Sequence, residues 1–146
     1  MDQPTLIALV DRLRGLRREQ STIEFKSNWD KPEDVGQYIS ALANSAALEG
    51  HERAWMIWGV DNANHTVKGT TFDPISVKGE GNQPLIMWLI QKITPRPDFE
   101  FHKVEHPDGH IVVLEIHAPR TAPLAFSGER YIRIDSHKTR LSQHPD

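Results

Sequence analysis

Cysteine is absent from the 146-residue sequence. A chain without cysteine forms no disulfide bond and no thiolate zinc site, which is compatible with an intracellular location. The sequence also lacks any apolar run as long as a membrane span, and its amino terminus has no signal-peptide pattern. We therefore expect a protein of the cytoplasm with no membrane partner.

An excess of positive charge is missing as well. The 17 lysines and arginines are outnumbered by 20 aspartates and glutamates, so the net charge is −3. A domain that wraps nucleic acid over its whole surface is usually basic, so nucleic-acid binding by this chain would need a local patch. Two stretches are locally basic, DRLRGLRR over residues 11–18 and GERYIRIDSHKTR over residues 128–140. Solvated faces of ordinary elements are the simpler explanation for either stretch taken alone.

Apolar residues are plentiful enough for one hydrophobic core. They make up 38% of the chain, and charged residues make up 25%, which is typical of a globular protein. No linker or internal repeat divides the sequence, so we expect a single domain over residues 1–146. Helical spacing of apolar residues predicts a helix over residues 4–17, a second that begins near Asp30 and Pro32, and a third over PLIMWLIQKI with Asn82 as its cap.

Strand patterns occupy most of the remaining sequence. STIEFK alternates, with Ile23 and Phe25 on one face and Glu24 and Lys26 on the other, whereas AWMIWGV is typical of a strand buried on both faces. TVKGTTF predicts a short edge strand, residues 98–118 predict a β-hairpin, and PLAF and RYIRI predict short strands. The expected fold class is α/β or α+β: a single mixed sheet covered by about three helices, with a C-terminal hairpin and a short final strand.

Three carboxylates are candidates for a chemical site. Glu24 lies on the polar face of the first strand, Asp61 follows the buried strand, and Glu19 precedes the first strand. If their oxygens converge, they suit Mg²⁺ or Mn²⁺, which can polarise a phosphoryl oxygen and activate water. Lys26 shares a strand face with Glu24 and could neutralise a phosphate. Acidic residues at strand ends are also common without a metal, and that alternative stays open.

Four histidines lie on or beside the predicted hairpin. His106 and His110 flank its turn, and His102 and His117 lie on its strands. Zinc binding by this group is conceivable, but exposed hairpin histidines are the favoured interpretation.

An ordered set of short signatures runs through the chain: E-x4-E-F-K, then ALANS, then an apolar strand that ends in GVDN, then RYIRIDSHKTR. Together they resemble the Schlafen/AlbA-type DNA-binding domain, found in helicase-related predicted transcriptional regulators and in Schlafen proteins. The resemblance covers roughly residues 15–142. Related bacterial proteins continue into further domains, so it also implies that this chain is a fragment of a longer protein.

The resemblance implies particular roles for particular residues. Schlafen nucleases use two glutamates and an aspartate with a divalent metal to cut tRNA or rRNA, and the matching residues here are Glu19, Glu24 and Asp61. The glycine pair that usually follows the asparagine of ALANS is missing, and GVDNANH lacks the usual glycine, so the turns differ from the family pattern. The family's EFK lysine matches Lys26, and its late arginine strand matches Tyr131, Arg133 and Ser136. With the two basic stretches, the candidate nucleic-acid-binding residues are Lys26, Arg17, Arg18, Tyr131, Arg133, Lys138 and Arg140.

Three functions follow from these observations. The leading hypothesis is a nucleic-acid-binding domain, part of a transcriptional regulator, whose partner is DNA or RNA. The second is a Schlafen-type endoribonuclease that acts on tRNA with Mg²⁺ or Mn²⁺. The third is a non-catalytic regulatory or oligomerisation module, for example one that forms a homodimer.

Overall fold

The strands of the protein divide into two four-stranded sheets. The computed structural model describes residues 1–16, 20–29, 31–134 and 137–143. Across these residues the elements are α1 (Gln3–Arg14), β1 (Ile23–Lys26), α2 (Pro32–Glu49), β2 (Arg53–Trp58), α3 (Leu85–Lys92), β3 (Ile93–Thr94), β4 (Phe99–His106), β5 (Gly109–His117), β6 (Ala125–Phe126), β7 (Glu129–Ile134), β8 (His137–Arg140) and a 3-10 turn (Leu141–Gln143).

The first sheet is mixed and the second is antiparallel. The first has the strand order β1-β2-β5-β4, in which β1 and β2 are parallel and the other pairs are antiparallel. The second has the order β3-β6-β7-β8. The predicted α+β class and the C-terminal hairpin are confirmed, but the strands form two sheets rather than the single expected one. Pro119 and Pro123 lie between β5 and β6, and proline has no N–H group with which to continue a ladder.

Helix α2 lies between the two sheets. It contacts β2 and β5 of the first sheet and β6, β7 and β8 of the second. Its apolar residues share a buried cluster with Met56 and Trp58 of β2 and with Phe126 of β6. This position explains why α2 is buried over most of its length and makes it the element that joins the two sheets.

Helix α1 covers the opposite face of the first sheet. Its residues Leu6, Val10 and Leu13 form a second buried cluster with Phe25 of β1 and Ile57 of β2. Because β2 contributes to both clusters, the prediction that it is buried on both faces is confirmed. Within the described ranges, no helix combines the length and apolarity that crossing a bilayer requires.

Several element boundaries differ from the predicted ones. Helix α1 ends at Arg14 because Gly15 caps it, and Pro84 rather than Asn82 precedes α3. Lys31 precedes α2 as its cap residue, while Asp30 lies outside the described residues. The predicted edge strand over 66–72 is reduced to one bridge between Val60 and Val67, because the segment turns back so that the N–H groups of residues 68 and 69 both donate to the Gly59 carbonyl.

Candidate nucleic-acid interface

The first strand and the most interior strand are direct neighbours. Glu24 pairs with Met56, and Lys26 pairs with Trp58, in a parallel register. Paired residues present their side chains on the same face of a sheet, and Met56 and Trp58 both pack in the α2 cluster. Glu24 and Lys26 therefore lie on the face that α2 and the second sheet cover, with Phe25 on the α1 side as the alternation predicts.

Glu24 is buried against Arg133. Both residues are almost inaccessible, at 4% and 3% exposure, and Arg133 Nη2 donates to Glu24 Oε1 at 2.7 Å. Nη1 of the same guanidinium donates to the backbone carbonyls of Ile23, at 2.5 Å, and Gln20. The ion pair thus ties β7 of the second sheet to β1 of the first. Burial leaves little of this guanidinium accessible to a phosphate.

Lys26 and Lys138 meet over the ring of Tyr38. Their ammonium groups lie 4.8 and 5.1 Å from the ring centroid, and both contact the carboxylate of Asp34, at 3.5 and 3.1 Å. Lys138 also donates to Gln37 Oε1 at 2.8 Å. Among the described residues, the two lysines thus share one carboxylate. The structure therefore brings together two of the predicted nucleic-acid-binding residues, from β1 and β8, in a partly exposed position.

Two further predicted residues lie on the same β7–β8 hairpin. Tyr131 pairs with Arg140 across the two strands. Tyr131 is half-buried, and its main-chain N–H donates to Ser40 Oγ at 3.0 Å. Arg140 is exposed, and its Nε lies 3.9 Å from Glu129 Oε1. Arg17 and Arg18 lie outside the described residues, as does Ser136.

Asp61 lies in the turn that follows β2. Its carboxylate accepts hydrogen bonds from the N–H groups of Ala63 and Asn64, at 2.8 and 3.1 Å. These bonds, that from Asn64 first, hold the pKa of Asp61 below its usual value. The carboxylate is therefore ionised at neutral pH, as a metal ligand must be.

The Asp61 turn packs on the α1 side of the first sheet. His65, in the same turn, lies 4.4 Å from the ring of Phe25, and its carbonyl accepts a hydrogen bond from Arg14 Nε at 2.8 Å. Glu24 lies on the other face of the sheet, and Glu19 lies outside the described residues. Convergence of the three carboxylates on Mg²⁺ or Mn²⁺ therefore stays a prediction.

Three polar residues of α2 have a role that the sequence patterns do not reveal. Asn44 Nδ2 donates to the carbonyls of Leu124 and Tyr131, at 3.0 and 2.8 Å, and Asn44 Oδ1 accepts from the Leu124 N–H at 2.8 Å. Ser40 Oγ donates to the Leu124 carbonyl at 2.7 Å, and Ser45 Oγ accepts from the Arg133 N–H at 3.0 Å. The ALANS signature thus docks β7 on α2. The sequence indicates this role only through the presence of polar residues at helix positions that are otherwise apolar and buried.

The hairpin histidines are less exposed than predicted. His106 is buried, and its Nε2 lies 2.8 Å from Asp11 Oδ1 of α1. The side chain of His102 is only 9% exposed and contacts two glutamates. The expectation of exposed histidines is therefore wrong for these two residues, because α1 and the neighbouring strands cover them.

Comparison with known proteins places this fold and these signatures in a family. The profile described as Schlafen, AlbA_2 matches residues 19–142, which is most of the chain. The chain belongs to the Schlafen AlbA_2 family. This result confirms the resemblance that the four sequence signatures indicated. No curated protein matches the chain.

Solved structures share the Schlafen AlbA_2 fold of this chain. The N-terminal domain of a RecG-related protein from Nitrosomonas europaea has a TM-score of 0.53 at 19% identity, over 95% of this chain and 93% of that domain. The DIP2311 protein from Corynebacterium diphtheriae has a TM-score of 0.55 at 15% identity, over 94% of this chain. The match covers 26% of the DIP2311 chain, so this domain spans about a quarter of that protein.

Proposed function

We propose that this domain binds nucleic acid, with Lys26, Lys138 and Arg140 contacting the phosphate backbone. The observation that carries the proposal is the meeting of Lys26 and Lys138 at Asp34, where two ammonium groups share one carboxylate among the described residues. The exposed Arg140 lies on the same strand as Lys138. Family membership supports it, as does the RecG-related neighbour, whose name relates it to an ATP-dependent DNA helicase. A net charge of −3 limits binding to such a local surface.

Phosphate contacts would position the nucleic acid without reading its sequence. An incoming phosphate can replace Asp34 as the partner of one ammonium, while Asp34 continues to hold the other. Arg133 then contributes indirectly. Its ion pair with Glu24 holds β7 against β1, and β7 pairs with β8, the strand that contains Lys138. We expect similar affinity for different sequences and steep salt dependence. A role within a transcriptional regulator and a cytoplasmic location both stay predictions.

The test compares two lysine variants by fluorescence anisotropy with labelled duplex DNA and single-stranded RNA at about 50 and 200 mM salt. Lys138→Ala should weaken binding several-fold and reduce the slope of log affinity against log salt by about 1, because one phosphate contact is lost. Lys103→Ala is the matched control. Lys103 also pairs with an aspartate, Asp73, at 2.9 Å, but it lies on β4, at the opposite edge of the first sheet from β1.

Two results would contradict the proposal. The first is the absence of binding by the wild-type chain at low salt. The second is an equal loss in the Lys138→Ala and Lys103→Ala variants, which would show a general charge effect rather than a binding surface.

The endoribonuclease alternative is tested separately. If Asp61 holds a divalent ion, the wild-type chain cleaves tRNA in the presence of Mn²⁺ or Mg²⁺, and Asp61→Asn abolishes cleavage. This substitution keeps an oxygen that can accept the hydrogen bonds of Ala63 and Asn64, so the turn should survive. Substitution of Glu24 is unsuitable because it also breaks the buried pair with Arg133. Absence of cleavage by the wild-type chain, or cleavage that survives Asp61→Asn, would count against a nuclease. The regulatory module, including a homodimer, stays a prediction.

A further inference from the structure

An imidazole nitrogen lies between two carboxylates on the first sheet, away from the proposed nucleic-acid surface. His102 Nε2 is 2.9 Å from Glu115 Oε1 and 3.1 Å from Glu100 Oε2. Ligand atoms of the three residues all lie within 4.8 Å of one another, and no other group of three or more such residues does so in the described part of the chain. The cluster includes neither Glu24 nor Asp61.

The strand register places like charges opposite each other at this point. Glu100 of β4 pairs directly with Glu115 of β5, and two carboxylates in such a position repel each other. A neutral imidazole has at most one proton on Nε2, so it can donate to only one of the two. A divalent cation at the same point would bind all three groups at once and offset the repulsion.

The geometry fits a small transition-metal ion. Ligand atoms around a tetrahedral Zn²⁺, with bonds of about 2.0 to 2.2 Å, lie about 3.3 Å apart, close to the two separations observed. Imidazole nitrogen together with carboxylate oxygen suits zinc better than Mg²⁺ or Ca²⁺, which prefer oxygen ligands alone. The three side chains differ in exposure: those of His102 and Glu115 are 9% and 10% exposed, and that of Glu100 is 68% exposed. Solvent can therefore reach a fourth coordination position on the Glu100 side.

Neighbouring residues orient the carboxylate of Glu115, the less exposed of the two glutamates in the cluster. Arg53 Nη1 lies 3.3 Å and His117 Nε2 lies 3.5 Å from Glu115 Oε2, which is the oxygen that does not face His102. Such contacts orient Oε1 toward the imidazole, as outer-shell partners do in metal sites. All these residues lie on paired strands of the first sheet, so little rearrangement is needed on binding.

We propose that Glu100, His102 and Glu115 form a binding site for one divalent transition-metal ion, with Zn²⁺ as the reference ion. The ion would cross-link β4 to β5 and would leave a fourth position open to water. This site is independent of the proposed nucleic-acid-binding function.

The experiment is a Zn²⁺ titration of the untagged chain, stripped of metal with a chelator, by calorimetry near neutral pH. The wild-type chain should bind one equivalent and gain thermal stability. Glu100→Gln should weaken binding at least about tenfold, and because this side chain is exposed the variant should fold normally. His102→Gln should do the same, and circular dichroism checks that it is folded.

His110→Gln is the matched control. His110 lies on the same hairpin and contacts a single glutamate, Glu105, at 3.1 Å, so its substitution should leave Zn²⁺ binding unchanged. The proposal is overturned if the wild-type chain binds no Zn²⁺. It is also overturned if Glu100→Gln binds as the wild type does, or if His110→Gln loses as much affinity as Glu100→Gln.

Discussion

At the scale of single residues, the structure gives Glu24 a role that its position in the sequence does not suggest. A glutamate on the polar face of a strand usually faces water, but this one is buried with Arg133. A buried ion pair is costly to desolvate, and it is costly again to break, because the remaining charge has no partner. The Nε atom of Arg133 already lacks a hydrogen-bond partner among the described residues. Within the described ranges, Glu24 is the carboxylate that contacts this guanidinium.

Removal of the Glu24 charge should destabilise the fold strongly. We expect Glu24→Gln to lower the free energy of unfolding by about 3 to 5 kcal/mol, measured by urea denaturation, because the buried Arg133 loses the charge of the carboxylate that it contacts. Glu105→Gln is the control, since the Glu105 side chain is 75% exposed, and it should change stability by no more than about 0.5 kcal/mol. Equal stability of the two variants would show that the buried pair contributes little.

At the scale of elements, α2 binds the second sheet through polar side chains as well as contributing apolar residues to the core. Its apolar positions pack on the first sheet, while Ser40, Asn44 and Ser45 bond to the backbone around β7. Leu124 and Arg133 are buried and Tyr131 is half-buried, so the backbone polar groups at these residues need partners. The asparagine of ALANS satisfies one N–H and two carbonyl groups at once.

Loss of this asparagine should loosen the second sheet. We expect Asn44→Ala to reduce the free energy of unfolding by about 2 to 4 kcal/mol, because the Leu124 N–H and the Tyr131 carbonyl lose their bonds to Asn44. Hydrogen exchange should accelerate in β6 and β7 more than in β2 and β5. Asn62→Ala, in the exposed turn after β2, is the control. Uniform acceleration over both sheets would contradict a local role of Asn44 in holding the second sheet.

At the scale of the whole molecule, two buried clusters on either side of the first sheet hold the domain together. The α1 cluster closes one face, and the larger α2 cluster closes the other and reaches the second sheet. The ion pairs on this second face join β1 to β7 directly, and they join β1 and β8 through Asp34 of α2. The surface that we propose for nucleic acid is thus built from strands of both sheets and depends on their docking through α2.

The sequence by itself determined the α+β class, the three helices, the burial of β2 on both faces and the β4–β5 hairpin. These features depend on local periodicity and turn residues, which act over a few positions. The division into two sheets, the pairing of Glu24 with Arg133 across 109 positions and the meeting of Lys26 with Lys138 were decided only by the tertiary structure. Local spacing carries no information about which distant charge will be brought to a buried one, because that choice depends on how whole elements dock.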